Sequence, residues 1–556
     1  MFLRFSCQTM TAANARRVIP FSRHQTTVSS ASHLNIHNNN KNYVGSVSAA
    51  EEPPFGFTLA ELESAKPFAD IPTPSSVPFF GNLFSFKPFG KLDAFDRVSC
   101  CRDMEERFGP ISRISLPFIP QFPEWVEILD PADFEIIFRN EGKLPHRPGD
   151  PAIARYNEKR RIPLGLFNAN QEEWWSMRQP LNKPMMRVNS SIPYLDIQDP
   201  IGNELVRVIR SEIRKNEGKF PSIMSTFQKW SLESVCSVIF DRKLGCLDPE
   251  LAPDSWQRKY IESVTTAVNL TISLGLNPVH KLYHMVGMES KLEKTFDAHM
   301  DYVMAKSAEL IEDFRRRFEA EPDEDWSKRF LPQLLAVELP IEKKLAMIFD
   351  MMLAAIDTTT YALTYNAYYL ARNPDAQEAL YREIVKHCGD DASNPMALTP
   401  SILSKMKYLK GAIKETHRIK PIIPLNVRAV ARDVVVKGYR IPKGTNCFVE
   451  HEFAAKSDKY FQDPLSYKPE RWLREESGSS SSSSSSSDGR GNPFIILPFG
   501  FGPRMCIGRR FAEQEIYIGL IKMIQAFQFS YEGPLPLKGF GIDKGPVNLN
   551  FVIRER

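Results

Sequence analysis

The first 50 residues contain no aspartate or glutamate; the first acid in the chain is Glu51. They carry Arg4, Arg16, Arg17, Arg23 and Lys41 among many serines, threonines and asparagines. That composition is the mark of a mitochondrial transit peptide, with a disordered tail as the alternative. The same stretch lacks an unbroken apolar run of the roughly 20 residues that a membrane-spanning helix needs, so no N-terminal anchor helix is expected. Cysteine is sparse and unpaired in sequence: Cys7, Cys100, Cys101, Cys236, Cys246, Cys388, Cys447 and Cys506 show no C-x-x-C spacing. A disulfide framework is therefore excluded, and a reducing interior compartment fits. The net charge of +4 is small, and no basic run interleaves with aromatics, so nucleic acid is not an expected partner.

What is present is a globular composition, 42% hydrophobic and 25% charged with 37 phenylalanines over 556 residues, enough for a large apolar interior. The most informative stretch is Phe499–Arg510, FGFGPRMCIGRR. Gly500 and Gly502 let the backbone turn after an apolar approach, and the residues from Arg509 onward repeat apolar positions at helical spacing. Cys506 thus sits just ahead of a helix N-terminus, where backbone N–H groups and the helix dipole favour a thiolate. With no second cysteine or histidine within the segment, zinc is poorly served and haem iron suits a single thiolate best. A buried structural cysteine after a tight loop is the plainer alternative.

Phe499, Gly502, Arg504, Cys506 and Gly508 stand at F-x-x-G-x-R-x-C-x-G spacing, which resembles the haem-binding signature of the cytochromes P450. Four further motifs follow that family's order. Trp174 and Arg178 lie four residues apart, on one helical face if the segment is helical. Ala354–Thr360, AAIDTTT, resembles the A-G-x-D-T-T oxygen-activation motif, with Ala355 where glycine is usual. Glu415 and Arg418 match E-x-x-R, and Arg471 lies in the later PERW segment. Consecutive hydroxyl residues compete for backbone carbonyls, so a locally opened helix turn is expected at Thr358–Thr360, with the Ala355 methyl narrowing the oxygen groove.

The resemblance spans residues 51–556 and implies a predominantly α fold with a small β-rich region, holding haem b between the Asp357 helix and the Cys506 loop. It implies that Cys506 ligates iron and that Phe499 belongs to the haem pocket. Trp174, Arg178, Arg504 and Arg428 would hold the propionates, with Arg432 a rival for the place of Arg428. Asp357 and Thr358 would deliver protons, while Glu415, Arg418 and Arg471 would form a buried structural network. The implied activity is monooxygenation of a small lipophilic substrate, whether sterol, steroid-like or xenobiotic. A haem-thiolate sensor that never activates oxygen and an oxygen-independent isomerase on the same scaffold are the alternatives.

No flavin or nicotinamide pattern occurs, so electrons must come from elsewhere. Lys410 and Lys414, four residues apart, and the Arg509–Arg510 pair resemble the mitochondrial branch's site for an adrenodoxin-type 2Fe–2S ferredoxin, itself reduced by an NADPH-dependent flavoprotein. A solvated helix face is the plain alternative for the lysines. The implied location is the matrix face of the inner mitochondrial membrane, with peripheral contact through the apolar, lysine-flanked loop around 275–287 or, alternatively, a simple helix connection there. The prolines of 53–83 predict an extended lead-in, and the serine run 477–487 a flexible, exposed insertion.

Overall fold

The fold is set by long helices whose apolar faces close on one another, and the computed structural model describes them within residues 54–538, 545–546 and 549–556, apart from positions 95, 120–121, 222, 277–282, 284–287, 321–325 and 474–490. The leader-like residues 1–50, the serine run and most of the 275–287 loop lie outside the described residues.

The principal helices are α1 Gln171–Met186, α2 Leu195–Lys215, α3 Ile223–Ile239, α4 Trp256–Leu276, α5 Lys291–Ala320, α6 Ile341–Arg372, α7 Lys407–Ile419 and α8 Arg509–Ala526. Helix α6 runs through the centre. Met347, Ile348, Met352 and Ile356 in its first half join one core cluster with Val235, Ile239 and Phe296. Leu363, Ala367 and Leu370 in its second half join another with Leu205, Trp230, Leu520 and Met523. Gly519 of α8 lets the two helices meet closely, because a Cβ there would stand 3.0 Å from a Leu363 methyl. By length and apolarity α6 could span a bilayer, but it is wrapped by the rest of the chain.

The β-rich part is small, as expected. Strands β1 Ile111–Ser115, β2 Glu124–Ile128, β3 Asn426–Ala429 and β4 Asn446–Val449 form a sheet in the order β1-β2-β4-β3. The β2–β4 pair is parallel, the others antiparallel. Pairing Arg428 opposite Cys447 leaves Arg428 buried at the sheet's inner edge.

The proline-rich lead-in differs from expectation by containing a helix, Leu59–Ser64. Thr58 and Glu61 form a capping box in which each satisfies the other's backbone N–H. A T-x-x-E signal between prolines suffices to start one turn.

The expected buried network is present. Glu415 and Arg418 of α7 are both fully buried and share two hydrogen bonds of 2.8 and 2.9 Å. The same carboxylate accepts from Arg471 Nε at 3.2 Å, Trp472 Nε1 at 3.0 Å and the Lys468 backbone N–H at 3.0 Å. Arg418 spends its remaining donors on the carbonyls of Ala455, Pro464 and Ser466.

Candidate active site

The loop before α8 is shaped by two glycines in the left-handed region, Gly500 at φ +69° and Gly502 at φ +76°. At Gly502 the need for glycine is also steric, since a Cβ would fall 1.9 Å from the Glu141 carboxylate. The turn is closed by the Cys506 N–H donating to the Phe499 carbonyl at 2.8 Å. Phe499 in turn lies between His417, edge-on at 6.1 Å, and the Arg509 guanidinium at 5.6 Å. Cys506 is the one described cysteine that is exposed; the other described cysteines are buried. Its thiol is nonetheless enclosed by protein, and burial pushes its pKa up, opposed by the Gly508 N–H and the charges of Arg178 and Arg509. The helix start therefore helps the thiolate as expected but does not by itself secure it.

Beside the thiol the fold gathers cations. Helix α1 places Trp174 and Arg178 on one buried face; Arg178 donates to Asn182 Oδ1 at 2.9 Å and to the Met505 carbonyl at 3.0 Å. Arg504 stacks on Trp174, 4.4 Å from its ring centre, and donates to the Ala169 carbonyl and Asn170 Oδ1. Arg428 pairs with Glu141 at 2.6 Å and donates to the Phe501 carbonyl. It is Arg428, buried and near Arg504, that belongs to this cluster.

Two members had no local signal in the sequence. Arg147 stands near both Arg428 and Cys506, and Glu141 is 287 residues from its partner Arg428. Burial, with mutual repulsion, pushes Arg504 down to about 9 and Arg147 to about 10; burial alone takes Arg178 down to about 10. Burial likewise pushes Glu141 up to about 7 against the pull of Arg428. Four guanidiniums face two carboxylates, Glu141 and, through Arg147, Asp350, and Arg504 Nε is buried without a partner. Such an excess of buried positive charge is offset by a dianionic group. A thiol in an enclosed space beside an anion-seeking cluster is the donor set a haem requires, so the residues present fit that group.

On α6 the outcome is mixed. Ala354 and Thr358, one turn apart, are exposed on a helix otherwise largely buried. Thr358 Oγ1 donates to the Ala354 carbonyl at 2.8 Å. Asp357 is buried on another side, where its Oδ1 accepts from Gln228 Nε2 at 3.0 Å and Thr265 Oγ1 at 3.4 Å, and Oδ2 has no partner. Burial raises its pKa. The expected opened turn is absent: α6 is continuous from Ile341 to Arg372. The Thr358, Thr360 and Thr364 hydroxyls bond the carbonyls four residues back in addition to the helix ladder. Alanine at 355 also favours the helix over glycine by about 1 kcal/mol.

Further acids on this helix pair were not singled out from the sequence. Asp350, two turns before Asp357, accepts the Phe167 N–H at 2.7 Å, and burial pushes it up to about 7. Glu515 of α8 bonds Ser234 and Thr359, and burial pushes it up to about 8. A carboxylate amid the apolar positions of α8 was the available signal. It ties the helix following Cys506 to the residue next to Thr358.

On the surface behind the thiol, Lys410 donates to the Ser404 carbonyl at 3.0 Å and the exposed Lys414 lies 3.9 Å over the Trp472 ring. Glu513 pairs with Arg509 at 2.9 Å and Arg510 at 3.6 Å and acts on Lys410 as well. Lys410 and the arginine pair thus neighbour a common carboxylate, while Lys414 packs on Trp472.

A cytochrome P450 family model matches residues 71–545. The chain is a cytochrome P450. It is 30% identical over 482 residues to the probable mitochondrial cytochrome P450 12a5 of Drosophila melanogaster, covering 85% of this chain and 87% of that one. Mitochondrial 25-hydroxyvitamin D-1 alpha hydroxylase of Mus musculus is 30% identical over 499 residues, covering 87% of this P450 and 93% of that enzyme. Probable cytochrome P450 49a1 of Drosophila melanogaster matches at 28% over 523 residues. This P450 is accordingly a monooxygenase, with a haem iron held by a cysteine thiolate.

Proposed function

We propose that this P450 oxygenates a sterol, steroid-like or comparably lipophilic foreign molecule in mitochondria, on the matrix face of the inner membrane. The observation that carries the chemistry is the enclosed, accessible Cys506 beside a cluster of arginines short of counter-charge. The relative named for acting on 25-hydroxyvitamin D supports the substrate class, and the mitochondrial names of several relatives support the location.

In this proposal Cys506 would hold the haem iron through its sulfur, with Phe499 beside its loop, and Arg178, Arg428, Arg504 and Arg147 would hold the propionates with Trp174 as a stacking wall. The haem, when bound, supplies the redox-active iron at which dioxygen is activated. Thr358 presents a hydroxyl on the exposed face of α6 that it shares with Ala354 and would pass a proton there. Asp357, buried and half-partnered, holds the proton supply through Gln228 and Thr265. Thr358→Ala is expected to leave the carbon monoxide spectrum of the reduced protein intact while product per electron consumed falls roughly tenfold or more. Unchanged coupling would remove Thr358 from this role; product formed without any electron donor would favour an isomerase instead.

Electrons reach the site from an adrenodoxin-type 2Fe–2S ferredoxin, reduced in turn by an NADPH-dependent reductase, docking on Lys410, Lys414, Arg509 and Arg510. Lys410→Glu with Lys414→Glu is expected to slow reduction by ferredoxin at least about tenfold at low salt and to flatten its salt dependence. Stopped-flow reduction across ionic strength measures this, and identical curves for variant and parent would place docking elsewhere.

A further inference from the structure

His417 is a buried residue that the α7 network passes by. Its neighbours Glu415 and Arg418 bond one another, but both ring nitrogens of His417 lack a hydrogen-bond partner among the described residues. His451, also buried, has the Ile423 backbone as a partner. A polar ring left unpaired in the interior costs stability, and a leucine of similar bulk would remove that cost. Packing alone therefore gives no reason for histidine here.

What the ring does touch is the loop that carries Cys506. It meets Phe499 at 6.1 Å between ring centres, with the planes at 71°. The Phe499 carbonyl accepts the Cys506 N–H at 2.8 Å, and the Arg509 guanidinium over the same ring also acts on the Cys506 thiol. On α7, Lys414 is exposed and His417, three residues on, is buried, so the helix leads from the proposed docking lysines inward to this contact. Burial keeps the imidazole neutral, pushing its pKa down to about 4, so it acts through a dipole and not a charge. A neutral imidazole carries its hydrogen on either nitrogen, and a bonded partner ordinarily decides which. With no such partner the local field decides, and a thiolate-bound centre selects the tautomer whose N–H end faces it.

We propose that His417 tunes electron entry, its neutral dipole behind Phe499 raising the reduction potential of the iron held by Cys506. Addition of one electron makes such a centre more negative, and the positive end of a nearby dipole favours the reduced form. An apolar side chain in the same place gives no such help. The residue thus accepts an unpaired position in the core in exchange for an easier first reduction by the ferredoxin. This inference rests on Cys506 as the iron ligand, proposed above.

Anaerobic redox titration of full-length holoprotein, followed by the Soret band, tests it. His417→Leu is expected to lower the equilibrium constant for one-electron reduction about tenfold, a midpoint about 59 mV more negative. The thiolate-type carbon monoxide spectrum should remain, and the denaturation midpoint should hold or rise. His417→Gln keeps an N–H in the same space and should return most of the shift. A leucine variant with the parent's potential, or with a more positive one, overturns the tuning role. Equal shifts for leucine and glutamine also overturn it, assigning the effect to packing. Where the leucine variant does not fold, His417→Met is the apolar replacement, and an unshifted potential there is equally fatal. Parent protein without a thiolate-type carbon monoxide spectrum overturns the reading of Cys506 and this inference with it; a parent with that spectrum and indifferent His417 variants overturns this inference alone.

Discussion

Glu415→Ala is expected to lower the stability of the folded protein by about 3–5 kcal/mol and to leave little haem-loaded protein at 37 °C. The figure follows from what the substitution strands. Glu415 takes hydrogen bonds from Arg418 twice, from Arg471, Trp472 and the Lys468 backbone. Without it Arg418, with no solvent exposure, keeps only three carbonyls as partners, and a fully buried guanidinium has no counter-charge. Glu415→Gln is expected to fall between, retaining shape and some acceptors but not the charge. Urea denaturation of freshly purified protein, followed by the Soret band and by far-ultraviolet circular dichroism, gives the comparison. An alanine variant within about 1 kcal/mol of the parent would show that the network is not a main support of the fold, since that is the ordinary scale of one hydrogen bond.

Cys506→Ser is expected to abolish product formation, by roughly a thousandfold or more, while the protein stays folded. Serine is nearly isosteric, and the loop is held by backbone geometry at Gly500 and Gly502 and by the Cys506 N–H to Phe499 bond, none of which needs sulfur. What changes is the donor: a hydroxyl is harder and far less acidic than a thiol, and it supplies less electron density to iron. The thiolate-type carbon monoxide spectrum should vanish while the denaturation midpoint moves little. Retained turnover with a retained spectrum would transfer the ligand role away from Cys506.

Cys506, Glu415 and Arg418 were legible because each belongs to a motif whose members lie close together in the chain, so the resemblance that implied their roles could be read from spacing. Trp174 and Arg178 were legible for the same reason, their four-residue spacing fixing a shared helical face. Glu141 and Arg147 were not, because they acquire meaning only when the chain brings them against Arg428 and Cys506. The opened turn at Thr358–Thr360 was overestimated. Hydroxyl competition for carbonyls does occur there, but as added bonds four residues back, which a continuous α-helix tolerates. In the lead-in, proline density overshadowed the Thr58–Glu61 capping box, a local signal strong enough to make a helix turn between two prolines.

Glu513 has a kinetic consequence on the proposed docking face. It sits among Lys410, Arg509 and Arg510 as an internal rival for the same cations. A carrier that delivers one electron per visit must leave and be replaced before a single turnover is complete, so tight capture would stall the cycle. If the carrier docks as proposed, Glu513 would shorten its residence by occupying part of the cationic surface itself, and so keep the exchange of spent for charged carriers rapid.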